Sequence, residues 1–330
     1  MSEEPASAAP EVNVPAYRQV GSPLARTDAP GKALGATRFA GDFTMPGMLH
    51  AKVLRSTQAS ALITRVDARK ARELEGVRAV LTAHDLPDRL VTTDIPGQTG
   101  KQDLKTAQPI LAKDRVKHQG EPIALVAADT LAAAERALEL IEVEYEALPG
   151  VFDPLEARRP GAPVVYGEDN LVARYKIRKG DLDKGFAAAD RVVENHFRTQ
   201  LIEHAFLEPE VGLAWVDENE VVNIRLSTQV VEHFRATADA LGLPHNKVHV
   251  RGMMVGGGFG GKENITVEVF LALLAQATRR PVRLEFSRED SFLGHGKRHP
   301  FTLRYRTGVT AEGKITALEV KITADAGAYA

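Results

Sequence analysis

The segment Val255-Gly256-Gly257-Gly258-Phe259-Gly260-Gly261-Lys262-Glu263 carries five glycines in six consecutive positions. Glycine loses more conformational freedom on ordering than any other residue, so neither a core strand nor a helix interior selects such a run. A β-rich stretch, Val248 to Val255, precedes it. A helical pattern follows, with Val267, Phe270, Leu271 and Leu274 expected on one face. Strand, glycine loop and helix in that order bring backbone N–H groups and a helix N-terminus toward an anionic ligand. The layout alone leaves the class of that ligand open.

Three ligand readings compete with a purely structural one. Gly256, Gly258 and Gly261 satisfy the G-x-G-x-x-G of dinucleotide-binding folds, with Glu285 as the ribose-binding acid. Glu285 comes late for that role, however, and the segments after the loop read as an antiparallel meander with no further strand–helix–strand unit. Gly256, Gly261 and Lys262 also match the P-loop pattern. There Glu263 replaces the Ser or Thr that holds magnesium, and a carboxylate at that place faces the phosphates. In the third reading the main chain approaches a different anionic cofactor, Phe259 covers it, and Glu263, in the first helical turn, points back toward the loop opening. The structural reading is a glycine turn that packs strand on helix, with Glu263 favouring the helix N-terminus.

Composition narrows the context. A chain of 330 residues accommodates two or three domains and a sizeable core. Its hydrophobic and charged shares, 44% and 26%, are ordinary for a soluble globular protein. A net charge of −2 supplies no basic field, so nucleic acid and membrane are not expected as partners. The absence of cysteine excludes disulfides, cysteine-ligated zinc and any iron–sulfur cluster held by this chain itself. No run reaches transmembrane length, and Met1-Ser2-Glu3-Glu4-Pro5 lacks the basic and apolar regions of a secretory signal, so a cytoplasmic location is expected.

Outward from the loop, the chain divides into four parts. Residues 1–20, rich in Pro, Ala, Ser and Glu, read as a flexible arm. Residues 21–150 form a small α/β domain. It opens with dense turn formers, Asp28-Ala29-Pro30-Gly31 the strongest, continues with strands at Leu49–Val53 and Val77–Thr82, and a polar loop to about Thr106 follows. Pro122–Ala127 is an apolar strand, Leu131–Leu140 a helix capped by Asp129 or Thr130, and Ile141–Tyr145 a strand. Pro149, Pro154, Pro160 and Pro163 punctuate a linker over 151–170. In 171–330, strands are expected at Arg191–Arg198, Val211–Trp215 and Val222–Leu226, then a helix from Val230 to Leu241 that stops at Gly242 and Pro244. Further strands follow at Val282–Phe286, Phe301–Tyr305 and Leu318–Ala324. Ending at Ala330 directly after a strand, the chain reads as a fragment or as one half of a split protein. His295 with His299, or His204 with Glu208, would need a helix to share a metal, and Gly296, Pro300 and Pro209 oppose one.

The segment Gly256 to Glu263 resembles the molybdopterin-contacting loop of the xanthine dehydrogenase family, the molybdenum hydroxylases. Pro23–Ala29, Phe39–Asp42 and Pro46–Ala51 resemble the start of the small domain in the family's molybdenum subunit. Gly120–Ala124 and Ile141–Glu146 resemble its strand–helix–strand core. Glu208-Pro209, Ser227-Thr228-Gln229, Arg298-His299-Pro300 and Asp325–Tyr329 extend the likeness through the cofactor domain. It covers nearly the whole chain after residue 20.

The resemblance implies an α+β chain: a small α/β hammerhead-like domain, then the first part of a mixed α+β molybdopterin-binding domain that a partner chain completes. It places Gln229 on a terminal oxygen ligand of molybdenum, a neutral amide donor suiting an oxo group. Gly258, Phe259, Gly260 and Gly261 are placed against the molybdenum–pterin cofactor, for which a cytosine dinucleotide form is one option, with Phe259 beside the metal. Glu263 matches the glutamate that contacts substrate in purine-oxidising members. The implied reaction is hydroxylation of a heterocycle or aldehyde with water as oxygen source. The general base is expected on a second molybdenum-site polypeptide, and electrons are expected to pass to an iron–sulfur subunit with 2Fe-2S clusters and a flavin subunit with FAD. A non-catalytic scaffold or cofactor-handling relative is the alternative, and a nucleotide-binding oxidoreductase a further one.

Overall fold

The computed structural model describes residues 21–92 and 107–329. The arm expected over 1–20 and the greater part of the polar loop ending near Thr106 lie outside the described residues. The described residues fall into two compact units, with the boundary between Thr37 and Arg38. In the first, the segment expected as a turn is instead a short helix, α1 (Ala29–Ala33). Pro30 sits in its first turn, where a missing N–H is harmless, and Asp28 accepts from both Arg26 and Lys32.

In the second unit the elements run β1 (Leu49–Arg55), β2 (Ala61–Asp67), α2 (Arg69–Glu73), β3 (Val77–Thr82), β4 (Leu90–Thr92) and β5 (Ala107–Pro109). After these come β6 (Arg115–Val116), β7 (Pro122–Ala128), α3 (Leu131–Glu139) and β8 (Glu142–Ala147). The second half contributes α4 (Leu182–Ala187), β9 (Arg191–Arg198), β10 (Val211–Val216), β11 (Val222–Leu226), α5 (Phe234–Leu241) and β12 (Val248–Gly252). It closes with α6 (Glu268–Thr278), β13 (Val282–Glu285), α7 (Arg288–Gly294), β14 (Phe301–Val309) and β15 (Ile315–Ala324).

Among the described residues, the largest sheet has seven strands in the order β12-β11-β10-β13-β1-β7-β3. Strands from both halves of the chain meet in it. The join is the parallel pairing of β1 with β13, Leu49 opposite Val282 and Ala51 opposite Leu284. Both faces are covered. Along β7, Leu125 and Ala127 enter the core shared with α6, while Ala124, Val126 and Ala128 enter the core shared with α3. This two-sided burial explains why the strand reads as an unbroken apolar run.

The strand–helix–strand unit at 122–147 takes a form the sequence pattern did not distinguish. Thr130 caps α3 through its hydroxyl, which accepts from Ala133 N at 3.1 Å. β7, however, lies in the seven-stranded sheet, whereas β8 pairs antiparallel with β2 in a separate sheet ordered β6-β2-β8. The sequence reading passes over β2 because its register shifts between Ile63 and Arg65, which breaks the alternation. The remaining long strands, β9, β14 and β15, form an antiparallel sheet, and no described helix is long and apolar enough to cross a membrane. Tyr329, beyond β15, donates its hydroxyl to Glu121 Oε1 at 2.5 Å, joining two of the segments that carry the family resemblance.

Helix α6 is buried nearly all round rather than on one face: Val269, Leu271, Ala272, Leu274 and Ala275 are all inaccessible. Its seat is Gly212 of β10, where an added Cβ would stand 2.7 Å from Leu271 Cδ1 and 2.9 Å from Leu226 Cβ. Gly212→Ala is therefore expected to lift α6 and cost about 1–3 kcal/mol. Urea titration checks this; an unchanged midpoint would mean that α6 is not seated on β10.

Candidate functional site

β11 and β12 are parallel and in register from Val222–Val248 to Leu226–Gly252, so the chain leaving each emerges at the same edge. Met253 N continues the ladder onto Leu226 O at 2.9 Å. This places Ser227-Thr228-Gln229 directly against the glycine loop. The backbone N–H of Gln229 donates to Lys262 O at 3.0 Å. Its side-chain Oε1 accepts from Gly260 N at 3.0 Å and Lys262 N at 3.4 Å. Because both loop partners are donors, the oxygen must face them. The Nε2 donors are left without a protein partner among the described residues, on an exposed side chain.

The glycines serve two ends. At Gly258 an added Cβ would fall 2.3 Å from Gln229 Oε1, and at Gly256 2.6 Å from Glu208 Cβ. At Gly261 it would fall 2.8 Å from Phe206 Cε1. At those three positions the missing side chain makes room for the protein's own. At Gly260, by contrast, nothing lies closer than 4.0 Å, so the main chain there is open to a ligand. Between them Phe259 takes a left-handed conformation, φ 51°, costing about 1–2 kcal/mol. Phe259 is 69% exposed, so its burial offsets little of that strain within this chain.

Glu263 is exposed, but its backbone is fixed. His233 Nε2 donates to Glu263 O at 2.8 Å, and Nδ1 donates to the fully buried Glu268 carboxylate at 2.6 Å. Burial pushes this imidazole down, yet the Glu268 carboxylate and Glu263 carbonyl outweigh it and raise the group above its ordinary value. The raised value favours the doubly protonated ring that both contacts require.

Lys262 is 1% exposed. Its ammonium donates to Glu208 O at 2.7 Å, Glu208 Oε2 at 3.1 Å and Ser227 Oγ at 2.7 Å, and lies 4.6 Å from the centre of the Phe206 ring. Ser227 Oγ in turn donates to Glu208 Oε2 at 2.6 Å, which also accepts from Gly256 N at 2.7 Å. Burial depresses the Lys262 ammonium below its usual range, and the Glu208 carboxylate offsets part of that push.

Two expectations are corrected. Glu263 is not in the first helical turn, because α6 begins only at Glu268, after a non-helical stretch. The helix N-terminus is also not presented by the loop: Glu268 folds its own carboxylate onto Thr266 N at 2.7 Å. Nor does the dinucleotide arrangement appear, since two strands separate β12 from β13 in the sheet, and Glu285 pairs with Arg283. Gln229, Gly258, Phe259, Gly260, Gly261 and Glu263 do lie on two adjoining segments. Sequence reasoning missed Lys262, His233 and Glu208 as the groups that hold those segments together. Lys262 and Glu208 were visible only within matched segments, and His233 gave no signal.

The surface so formed offers free amide donors at Gln229, open main chain at Gly260, an apolar ring at Phe259 and a carboxylate at Glu263. It fits a planar, polar cofactor approached by backbone and neutral amide, the molybdenum–pterin class. It does not aim a helix N-terminus at the loop opening, the anchor on which P-loop and dinucleotide-binding folds seat their phosphates.

Residues 165–330 match the molybdopterin cofactor-binding domain model, and residues 34–149 match the hammerhead domain model of aldehyde oxidase and xanthine dehydrogenase. The nicotinate dehydrogenase large molybdopterin subunit of Eubacterium barkeri is 36% identical over 95% of this chain and 72% of its own length. The xanthine dehydrogenase molybdenum-binding subunit of Escherichia coli is 32% identical over 92% of this chain, but this chain spans only 41% of it. Among solved structures, the aldehyde oxidoreductase of Desulfovibrio gigas superposes with a TM-score of 0.84 at 28% identity, covering 91% of this chain and 34% of that one. Quinoline 2-oxidoreductase of Pseudomonas putida 86 gives 0.81 at 29%, covering 91% and 38%.

Lys262→Met removes the ammonium and leaves Glu208 a poorly compensated charge, an expected cost of about 3–5 kcal/mol. Adding Glu208→Gln should restore part of it. Denaturant midpoints of the two variants test this, and a wild-type midpoint for Lys262→Met would contradict the assigned network.

Proposed function

The chain belongs to the aldehyde oxidase and xanthine dehydrogenase family, and on that premise we propose that it forms one wall of the active site of a molybdenum hydroxylase. The observation that carries this reading is the seating of Gln229. Its carbonyl oxygen is consumed by the loop, so its N–H groups point outward beside the open main chain of Gly260. When bound, a molybdenum–pterin cofactor supplies the two-electron redox and oxygen-transfer chemistry. This chain supplies positioning: Gln229 Nε2 donates to a cofactor oxygen without competing as a metal ligand, Gly260 admits the cofactor to backbone distance, and Phe259 covers it. Gly258 and Gly261 keep the loop flat against Gln229 and Phe206, and Glu263 is the group that meets substrate.

The substrate class is an electron-poor heterocycle or an aldehyde, oxidised with water as oxygen source. The nicotinate dehydrogenase subunit is the relative above that this chain covers most fully, which favours a nitrogen heterocycle. A second molybdenum-site polypeptide is assigned the catalytic base and the remaining cofactor contacts. A cysteine-free chain holds no iron–sulfur cluster on thiolates, so 2Fe-2S and FAD subunits are assigned the onward electron transfer. That two of the relatives above are themselves named as subunits supports this division. A cytosine dinucleotide is the form of the pterin proposed.

The test is to purify the assembly from its native source and measure molybdenum, pterin and turnover. Gln229→Ala is expected to keep molybdenum content and slow oxidation by about 100-fold, the loss typical of one preorganised donor. Glu263→Gln should change kcat/KM ratios between substrates while pterin content holds. Unchanged turnover in Gln229→Ala, or an assembly free of molybdenum and pterin, would overturn the reading.

A further inference from the structure

On the other side of the glycine loop, residues from two distant segments converge. Glu203 and His204 lie between β9 and β10, and His295 is the residue that ends α7. The ring of His204 supports the loop, because a Cβ at Gly261 would stand 3.1 Å from its Cγ and Nδ1. One ligand atom from each of Glu203, His204 and His295 lies within 4.8 Å of the others. His295 Nε2 is the centre: Glu203 Oε1 is 3.1 Å away and His204 Nδ1 3.3 Å away.

The other nitrogen of His295 is already committed. Nδ1 donates to Ser291 O at 2.6 Å, with Glu210 Oε1 behind it at 3.1 Å. That fixes the tautomer, so Nε2 faces Glu203 and His204 either as a second N–H or as a lone pair. One N–H divided between a carboxylate oxygen and a second imidazole nitrogen serves each weakly. A cation among the three atoms serves all of them.

Two further features match how proteins support a bound metal. Glu210 is fully buried and directly behind His295, its Oε1 paired with Nδ1 at 3.1 Å. A carboxylate in that position orients a ligating histidine and raises its basicity. Lys297 Nζ stands 2.8 Å from Glu203 Oε2, and Ala205 N donates to Oε1 at 3.1 Å, so Oε1 meets the cluster with its remaining lone pair. His295 is buried, while Glu203 and His204 are partly exposed, so the open side of the cluster faces solvent.

We infer that Glu203, His204 and His295 bind a divalent first-row transition cation, Zn²⁺ foremost, through two imidazole nitrogens and one carboxylate oxygen. Two imidazoles with one carboxylate are a ligand set suited to zinc with a fourth position left open. Glu210 and Lys297 hold the ligands in place. The site pins the end of α7 to the segment under the glycine loop, and it is separate from the molybdenum assignment.

The full chain, with any subunits that co-purify, is stripped of loosely held metal by a chelator and titrated with Co²⁺ and then Zn²⁺. One equivalent of Co²⁺ per chain is expected, with visible d–d absorption that Zn²⁺ abolishes and Mg²⁺ does not. His204→Ala should lose the band while keeping the wild-type circular dichroism. Glu210→Gln should weaken affinity about 10- to 100-fold, and His249→Ala, at an exposed histidine elsewhere, should bind as wild type. Should His295→Ala fail to fold, His204→Ala carries the test. Absence of stoichiometric binding by the wild type, or equal binding by His204→Ala, would overturn the inference and leave the three side chains as a hydrogen-bonded network only. Neither result depends on whether molybdenum is present.

Discussion

An ammonium group without water must be surrounded by oxygen, and Lys262 Nζ finds it in the Glu208 carbonyl, the Glu208 carboxylate and the Ser227 hydroxyl. Three separate stretches of chain are fixed by that one requirement: the end of β11, the segment before β10 and the glycine loop. Such pairs are expensive to desolvate, so this one is weak evidence for stability as such. Its effect is to set geometry. With the ammonium in place, the Gln229 side chain has one seat, and its free donors have one direction.

The seven-stranded sheet makes that geometry rigid. Parallel register between β11 and β12 delivers Ser227-Thr228-Gln229 and the loop to a common edge. Helix α6, packed into the space above Gly212, covers the sheet behind them. His233, bridging Glu268 of that helix and the carbonyl of Glu263, links the rigid layer to the exposed carboxylate. The residues proposed to meet the cofactor therefore sit on loops whose ends are fixed by the strands and helices beneath.

Much of the layout was legible in the sequence because it rests on local signals. Alternation marked β1 and β11, the Thr130 cap and alanine-rich run marked α3, and Gly242 marked the end of α5. The likeness of Gly256 to Glu263 and of Ser227 to Gln229 to a known family pointed to the cofactor surface proposed here, whereas spacing alone left several ligands open. What stayed hidden is long-range. Whether β7 and β8 share a sheet depends on pairings far apart in the chain. The start of α6 was placed too early, at Glu263, by extending the apolar pattern of Val267, Phe270, Leu271 and Leu274 backwards. The helix begins only at Glu268, whose carboxylate accepts from Thr266 N just ahead of it. Judging histidines by spacing within one segment could not reveal a contact between positions 204 and 295.

The central claim is that Gln229 and the open main chain at Gly260 face a molybdenum–pterin group. Anomalous diffraction at the molybdenum absorption edge, on crystals of the assembled protein, addresses it directly. The account predicts a molybdenum peak beside the loop, with a cofactor oxygen within about 3.2 Å of Gln229 Nε2. A molybdenum peak remote from Gly256–Glu263, with the Gln229 amide turned to solvent, would contradict it.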